Sequence, residues 1–391
     1  MSKIDRWILP DGIEEILPPE ANQIEHLRRN ILDQFALWGY RLVIPPQAEY
    51  LESLLTGIGH DLDLLTFKLT DQMTGRMMGL SADRSQQVAR MDAHSIQTSG
   101  PARYCYSSPL LHTRPAHLQA SRSPIQIGAE LYGVMDICSD IEIVCLMLTA
   151  LKNIGISNVT LDLGHVAIYR TVVNDIGLDH ETEAELYKIL RQRSLPELDT
   201  FLAQHMDKYP LLEHIRTLSG LSGDESVLDT AITALNGVSP SIEKYIKPLQ
   251  ILAQEIQQEF PLVNLHFDLA ELRDYNYHTG LIFSVFVDGL AQPIAKGGRY
   301  DNTGQVFGRA RPATGFSADL KTLVKIAPAV SSEGCIFAPA DPDPELKKRI
   351  RELRQSGHKV VQALTADDTP ETTGCSQKLS FAKNTWAVTN I

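Results

Sequence analysis

Four short stretches carry side chains whose types and spacing could bind a free amino acid. In LSADRSQQVAR (residues 80–90), Asp83 and Ser85 stand two apart. A buried ammonium needs one formally negative partner plus neutral acceptors for its three donors, and a carboxylate beside a hydroxyl meets that need. The same pair could cap a helix beginning near Gln86, and local chemistry alone favours the cap. In IQIGAE (125–130), Gln126 and Glu130 are four apart. On an extended strand that even spacing puts both on one face, either solvated or, among such apolar neighbours, the wall of a pocket. LRDYNYHTG (272–280) supplies Arg273, Tyr275, Tyr277 and His278. The arginine fork can give a carboxylate two parallel hydrogen bonds, whereas Tyr275 could equally belong to a core. GGRYD (297–301) is a weaker signal: its two glycines permit close backbone approach, and Arg299 could sit in an ordinary surface ion pair.

The elements that must position these residues follow from periodicity. Ile24, Leu27, Ile31 and Phe35 recur at helical spacing over residues 22–38, and Gly39 supplies a stop. Residues 40–44 read as an edge strand ended by Pro45-Pro46. Residues 67–133 read as short strands linked by turns, 140–154 as a second amphipathic helix and 159–163 as another strand. From about 167 to 260 the pattern is almost wholly helical, with stops at Gly177, Pro196, Gly220 and Gly237. Strands resume at 263–269 and 281–287, the latter closed by Asp288-Gly289, a hairpin signal. After a linker at 328–334, CIFAP, ELKKRIRELRQSG and HKVVQAL read as strand, helix and strand, with a further strand at 385–390. A strand-rich core interrupted by helices is an α+β arrangement built on an antiparallel sheet. We expect a core of 1–166 and 261–328, a helical insertion at 167–260 and a small C-terminal α/β domain at 335–391.

Composition narrows the function. The chain has 391 residues, 43% of them hydrophobic and 21% charged, enough for two or three domains. Its net charge of -12 argues against a large nucleic-acid footprint, which needs a clustered Lys/Arg surface. No apolar leader and no apolar run near 18 residues is present, so the expected compartment is the cytoplasm and no membrane contact is expected. Five scattered cysteines without a C-x-x-C pair suit reduced thiols. His112 and His117 lack a second pair at zinc-site spacing, so neither metal nor cofactor is expected.

Taken together, these motifs resemble the catalytic core of histidyl-tRNA synthetase, with GYRLVIPPQAEY similar to motif 1 of class II aminoacyl-tRNA synthetases, the dimer-forming motif of that class. The resemblance implies a class II synthetase-like antiparallel sheet flanked by helices. It implies that Asp83 and Ser85 hold a histidine α-ammonium, that Gln126 touches the amino and carboxylate groups, that Glu130 reads an imidazole nitrogen, and that Arg273, Tyr277 and His278 complete the histidine site. LRDYNYHTG departs from the family's usual RGLDYYTG: Asn276 replaces an aspartate and His278 the second tyrosine.

The phosphate-binding parts are missing. Where a working enzyme has F-R-x-E, this chain has Leu111, His112 and Thr113 and is one residue short; Arg114 is displaced. In GFSADLKTL, Asp319 replaces a small residue and Thr322 the arginine, leaving Arg122 as one surviving cation. Phosphoryl chemistry depends on neutralising charge, so adenylation should be lost and no residue is expected to be catalytic. LSADRSQQVARMDAH and LDLGHVAIYR look especially like the HisZ family of synthetase paralogues, the regulatory subunits of ATP phosphoribosyltransferase. That likeness, covering roughly residues 1–330, implies a partner, the short catalytic subunit HisG of the first step of histidine biosynthesis, which HisZ proteins activate and make sensitive to feedback by histidine; it implies self-association as a dimer and no tRNA. The alternative is an active histidyl-tRNA synthetase or another amino-acid-adenylating enzyme, either of which needs the missing arginines.

Overall fold

A computed structural model describes residues 7–56, 60–115, 120–272, 277–301, 303–329, 334–365 and 367–391. The apolar stripe of Ile24, Leu27, Ile31 and Phe35 becomes the buried face of helix Glu20–Leu37, and Gly39 ends it at φ +81°. The strand that follows is only Arg41–Leu42, shorter than residues 40–44 because Pro45 and Pro46 have no amide hydrogen to extend the ladder. Helix Cys138–Asn153 packs beside the first. Strand Ile125–Tyr132 shows why the sheet has two chemistries: Ile127, Ala129 and Leu131 enter the core formed with these helices, while Gln126, Gly128 and Glu130 face the other way.

The main sheet has nine strands in the order Arg41–Leu42, Ala102–Pro109, Ile125–Tyr132, Ala313–Asp319, Ala295–Arg299, Leu281–Phe286, Thr160–His165, Asn264–Asp268 and Ser222–Gly223. Pairing is antiparallel except between the first two strands and between Thr160–His165 and Asn264–Asp268. The fold is therefore α+β, a class II synthetase-like antiparallel sheet flanked by helices. Asp288-Gly289 does lie in the hairpin joining Leu281–Phe286 to Ala295–Arg299, with Gly289 at φ +84°, but the connection is a longer loop than a two-residue turn.

Several local expectations need correction. Residues 67–133 hold more than strands: helix Arg84–Arg90 runs directly into a π-helical turn, Met91–Ile96. Pro196 does not stop a helix; it sits in the first turn of Leu195–His205, where a missing amide hydrogen costs nothing. The segment from Val166 to Glu259 is helical apart from Ser222–Gly223, which adds an edge strand to the main sheet.

The chain divides into two compact units after Pro328. The second is a four-stranded sheet, with Ile336–Ala338 between Val360–Gln362 and Gln377–Ala382 and Thr385–Asn390 at the edge, carrying helix Pro344–Gln355. Strand Gln377–Ala382 escaped sequence reading because QKLSFA has only a weak alternation. Cys335 and Cys375, distant in sequence, meet in this unit, their sulfurs side by side. No helix among the described residues is long and apolar enough to cross a membrane.

Candidate functional site

Register across the sheet builds the floor of one cavity. Tyr104, Glu130, Gly315, Gly298, Ile282 and Gly164 lie in one row across six strands. Two residues along, on the same face, run Tyr106, Gly128, Ser317, Lys296, Ser284 and Asp162. Glycines leave the floor bare where the side chain of Glu130 must lie. A Cβ on Gly315 would stand 1.7 Å from Glu130 Oε2, and one on Gly298 would stand 2.7 Å from His278 Cδ2. The cavity of about 150 Å³ above this floor is lined by Asp83, Ser85, Gln86, Glu130, Tyr277, His278 and Tyr300 among others.

Helix Arg84–Arg90 forms one wall, and its position is set by Arg84, a residue the sequence reading passed over. Its fully buried guanidinium donates to the carbonyls of Pro46 and Pro109 and to the side-chain oxygens of Gln47 and Gln87. Those bonds tie the helix start to the Pro45-Pro46 turn and to strand Ala102–Pro109. Asp83 is the N-cap, its Oδ1 accepting from Ser85 N at 3.0 Å, so the cap reading holds. The cap does not exhaust the carboxylate. Oδ1 also accepts from Gln126 Nε2 at 2.9 Å, Gln126 Oε1 accepts from Arg84 N at 2.9 Å, and Oδ2 has no partner among the described residues.

Glu130 is a perturbed carboxyl of the cavity. It is buried, with Tyr106 donating to Oε1 at 3.0 Å and Tyr300 to Oε2. Ser85 Oγ lies 3.2 Å from the Tyr106 hydroxyl, so Ser85, Tyr106, Glu130 and Tyr300 form one connected set. Burial pushes the Glu130 carboxyl up to about 8, and the Asp83 charge adds to that, against the pull of the hydroxyl donors. Tyr277 stacks on Tyr300 with centroids 5.0 Å apart, and the buried His278 meets the Tyr277 ring edge-on at 5.1 Å. Six of the seven residues singled out in sequence thus converge: Asp83, Ser85, Glu130, Tyr277 and His278 line the cavity, and Gln126 is bonded to Asp83. Arg273, with Tyr275 and Asn276, lies outside the described residues. Tyr106, Tyr300 and Gln86 were missed, although Tyr300 stands inside GGRYD and Gln86 directly follows Ser85. Arg299 is not a surface ion pair: it is buried, donating to Asp140 Oδ2 at 2.6 Å and Ser139 Oγ at 2.7 Å, and so anchors its strand to helix Cys138–Asn153.

A second, larger cavity of about 850 Å³ adjoins the first and shares Asp83 with it. Lys321, one of the lysines that line it, is committed elsewhere. Lys321 Nζ, buried, donates to Glu14 Oε1 at 2.7 Å and to Ser121 and Ser123 at 3.3 and 3.0 Å. Asp319 caps its short helix and accepts from Lys321 N, Ile125 N and Thr322 Oγ1. Arg122 donates to the carbonyls of Asp11 and His112, and His112 Nε2 lies 2.9 Å from Ala82 O. Lys321 and Asp319 on this wall are thus held by internal partners.

A mostly antiparallel sheet, a glycine-floored cavity and these flanking helices define a histidyl-tRNA synthetase-like protein. The profile of the histidyl-tRNA synthetase family matches residues 12–323, and that of the ATP phosphoribosyltransferase subunit HisZ C-terminal domain matches residues 333–389. Among solved structures, an ATP phosphoribosyltransferase regulatory subunit/histidyl-tRNA synthetase from Bacillus halodurans aligns with a TM-score of 0.81 at 24% identity, covering 96% of this chain and 97% of that one. A histidyl-tRNA synthetase from Nostoc aligns at 0.78 and 15% identity over 98% and 94%. ATP phosphoribosyltransferase regulatory subunits from Thioalkalivibrio sulfidiphilus and Marinobacter nauticus are 48% and 46% identical, each over 100% of both chains. The chain belongs to the family of ATP phosphoribosyltransferase regulatory subunits.

Proposed function

We propose that this chain is a non-catalytic sensor: it binds histidine in the glycine-floored cavity, activates the short catalytic subunit HisG and confers feedback inhibition on the first step of histidine biosynthesis. The observation that carries the reading is the contrast between the two cavities. The first presents the Asp83 carboxylate beside Glu130 and the aromatic faces of Tyr277 and His278, a setting for a cationic amino group and a flat polar ring. The second has Lys321 tied to Glu14 and Asp319 where phosphate charge would need cations.

In this reading Asp83, Ser85, Gln126 and Arg273 hold the ligand's charged ends, while Glu130, Tyr277 and His278 surround its ring. The chain dimerises through the edge formed by residues 40–50 and works in the cytoplasm without tRNA. Feedback then requires that bound histidine change the affinity or population of a state of the catalytic subunit, and linkage makes the effect reciprocal: a substrate whose binding histidine weakens must weaken histidine binding by the same factor. Two measurements on the purified chain test it. Calorimetry should detect histidine binding, and histidine-dependent exchange of pyrophosphate into ATP should be absent; exchange above the level without enzyme would return the chain to the adenylating enzymes.

A further inference from the structure

Gln86 is buried, only 3% exposed, in the first turn of helix Arg84–Arg90 and lines the same cavity as Glu130. Neither Nε2 nor Oε1 has a hydrogen-bond partner among the described residues. Its neighbours differ in this respect. Gln87 donates to Glu49 and Pro46 and accepts from Arg84, while Gln126 is bonded at both ends. Both Glu130 oxygens are taken by tyrosine hydroxyls, and Asp83 Oδ1 by two amides. The helix needs nothing from Gln86 that leucine or alanine would not supply, since its cap is Asp83 and its anchor is Arg84. A buried amide left unpaired at both ends costs free energy, and such groups in folded proteins are paired with protein, water or ligand.

We infer that Gln86 is a specificity-determining residue of this cavity, whose amide hydrogen-bonds the bound histidine ring at the nitrogen Glu130 does not take. The inference rests on the proposed histidine-binding reading. An imidazole in its neutral form has one donor and one acceptor nitrogen, so a Glu130 oxygen that accepts from the N–H leaves a lone pair needing a donor. Gln86 Nε2 supplies it from the helix that walls the floor carrying Glu130. Apolar amino acids of similar shape would leave this amide unpaired and are rejected on that ground.

The test is a pair of measurements on full-length wild type and Gln86→Leu. Calorimetric titration with L-histidine should show binding about 10- to 100-fold weaker in the variant. Thermal unfolding of the unliganded variant should occur at the same temperature as wild type or higher, because an apolar side chain of similar size replaces an unpaired buried amide. Gln86→Glu, which keeps the shape and loses the amide donor, should likewise lose histidine affinity. Equal histidine affinity in wild type and Gln86→Leu overturns the role of Gln86 while leaving the histidine site standing. A variant that binds weakly and also melts lower shows a structural role and overturns it too. No histidine binding by wild type refutes the site itself, and this inference with it.

Discussion

Replacing Glu130 with glutamine should make the unliganded protein more stable at neutral pH and less able to bind histidine. Burial raises this carboxyl from 4.5 to about 8, so between those values the folded chain holds a proton that the unfolded chain has released. Each pH unit in that window then costs about 1.4 kcal/mol of stability per proton. The contribution is fully present below 4.5 and is lost as pH rises toward 8, about 3 kcal/mol of it between pH 5 and pH 7. Glutamine keeps the shape, and its amide can still meet the hydroxyls of Tyr106 and Tyr300. Urea unfolding of wild type and Glu130→Gln at pH 5, 6, 7 and 8 isolates this group, because every other titration is common to both. The difference should widen with pH in favour of the variant. Parallel pH profiles would refute the reasoning, as would a variant that loses ground as pH rises.

Asp83→Asn retains the N-cap but removes the charge beside the ligand ammonium, and calorimetry should show histidine binding weakened by roughly 2–5 kcal/mol; unchanged affinity in both this variant and Arg273→Ala would place the site elsewhere. Thr322→Arg alone should not restore pyrophosphate exchange, because Asp319 and the Lys321–Glu14 pair still occupy that wall; exchange by the single variant would show that the other losses are immaterial. Gly315→Ala puts a Cβ 1.7 Å from Glu130 Oε2 and 2.8 Å from the Ala129 carbonyl, and overpacking of that kind should lower stability by about 1–3 kcal/mol in denaturant unfolding and abolish histidine binding. An alanine variant that binds normally would mean the carboxylate is not held against this floor.

Much of the frame was legible because its signals are local. The stripe of Ile24, Leu27, Ile31 and Phe35 and the alternation in IQIGAELY each have a single geometric solution, and both were realised. The cavity's lining was legible by motif: Asp83, Ser85, Glu130, Tyr277 and His278 come from three separate stretches and meet only because the register lays Ile125–Tyr132 beside Ala313–Asp319 and Ala295–Arg299. What stayed hidden depends on long-range partners. Arg299 reads as a surface charge until helix Cys138–Asn153 brings Asp140 to it. That Lys321 is held by Glu14, 307 residues away in sequence, has no local signal. Cys335 and Cys375 look scattered until two neighbouring strands bring them together. Gln86 is invisible as a binding residue in sequence because an amide at the start of a helix is ordinary unless its partners can be counted.

The central claim is that this chain senses histidine on behalf of another subunit, and the most direct test assays the short catalytic subunit across a histidine titration with no added chain, with wild type and with Glu130→Ala. Wild type should raise turnover and make it histidine-sensitive, and Glu130→Ala should raise turnover without conferring that sensitivity. No activation by wild type would contradict the regulatory role, and equal inhibition with the Glu130→Ala variant would contradict the site.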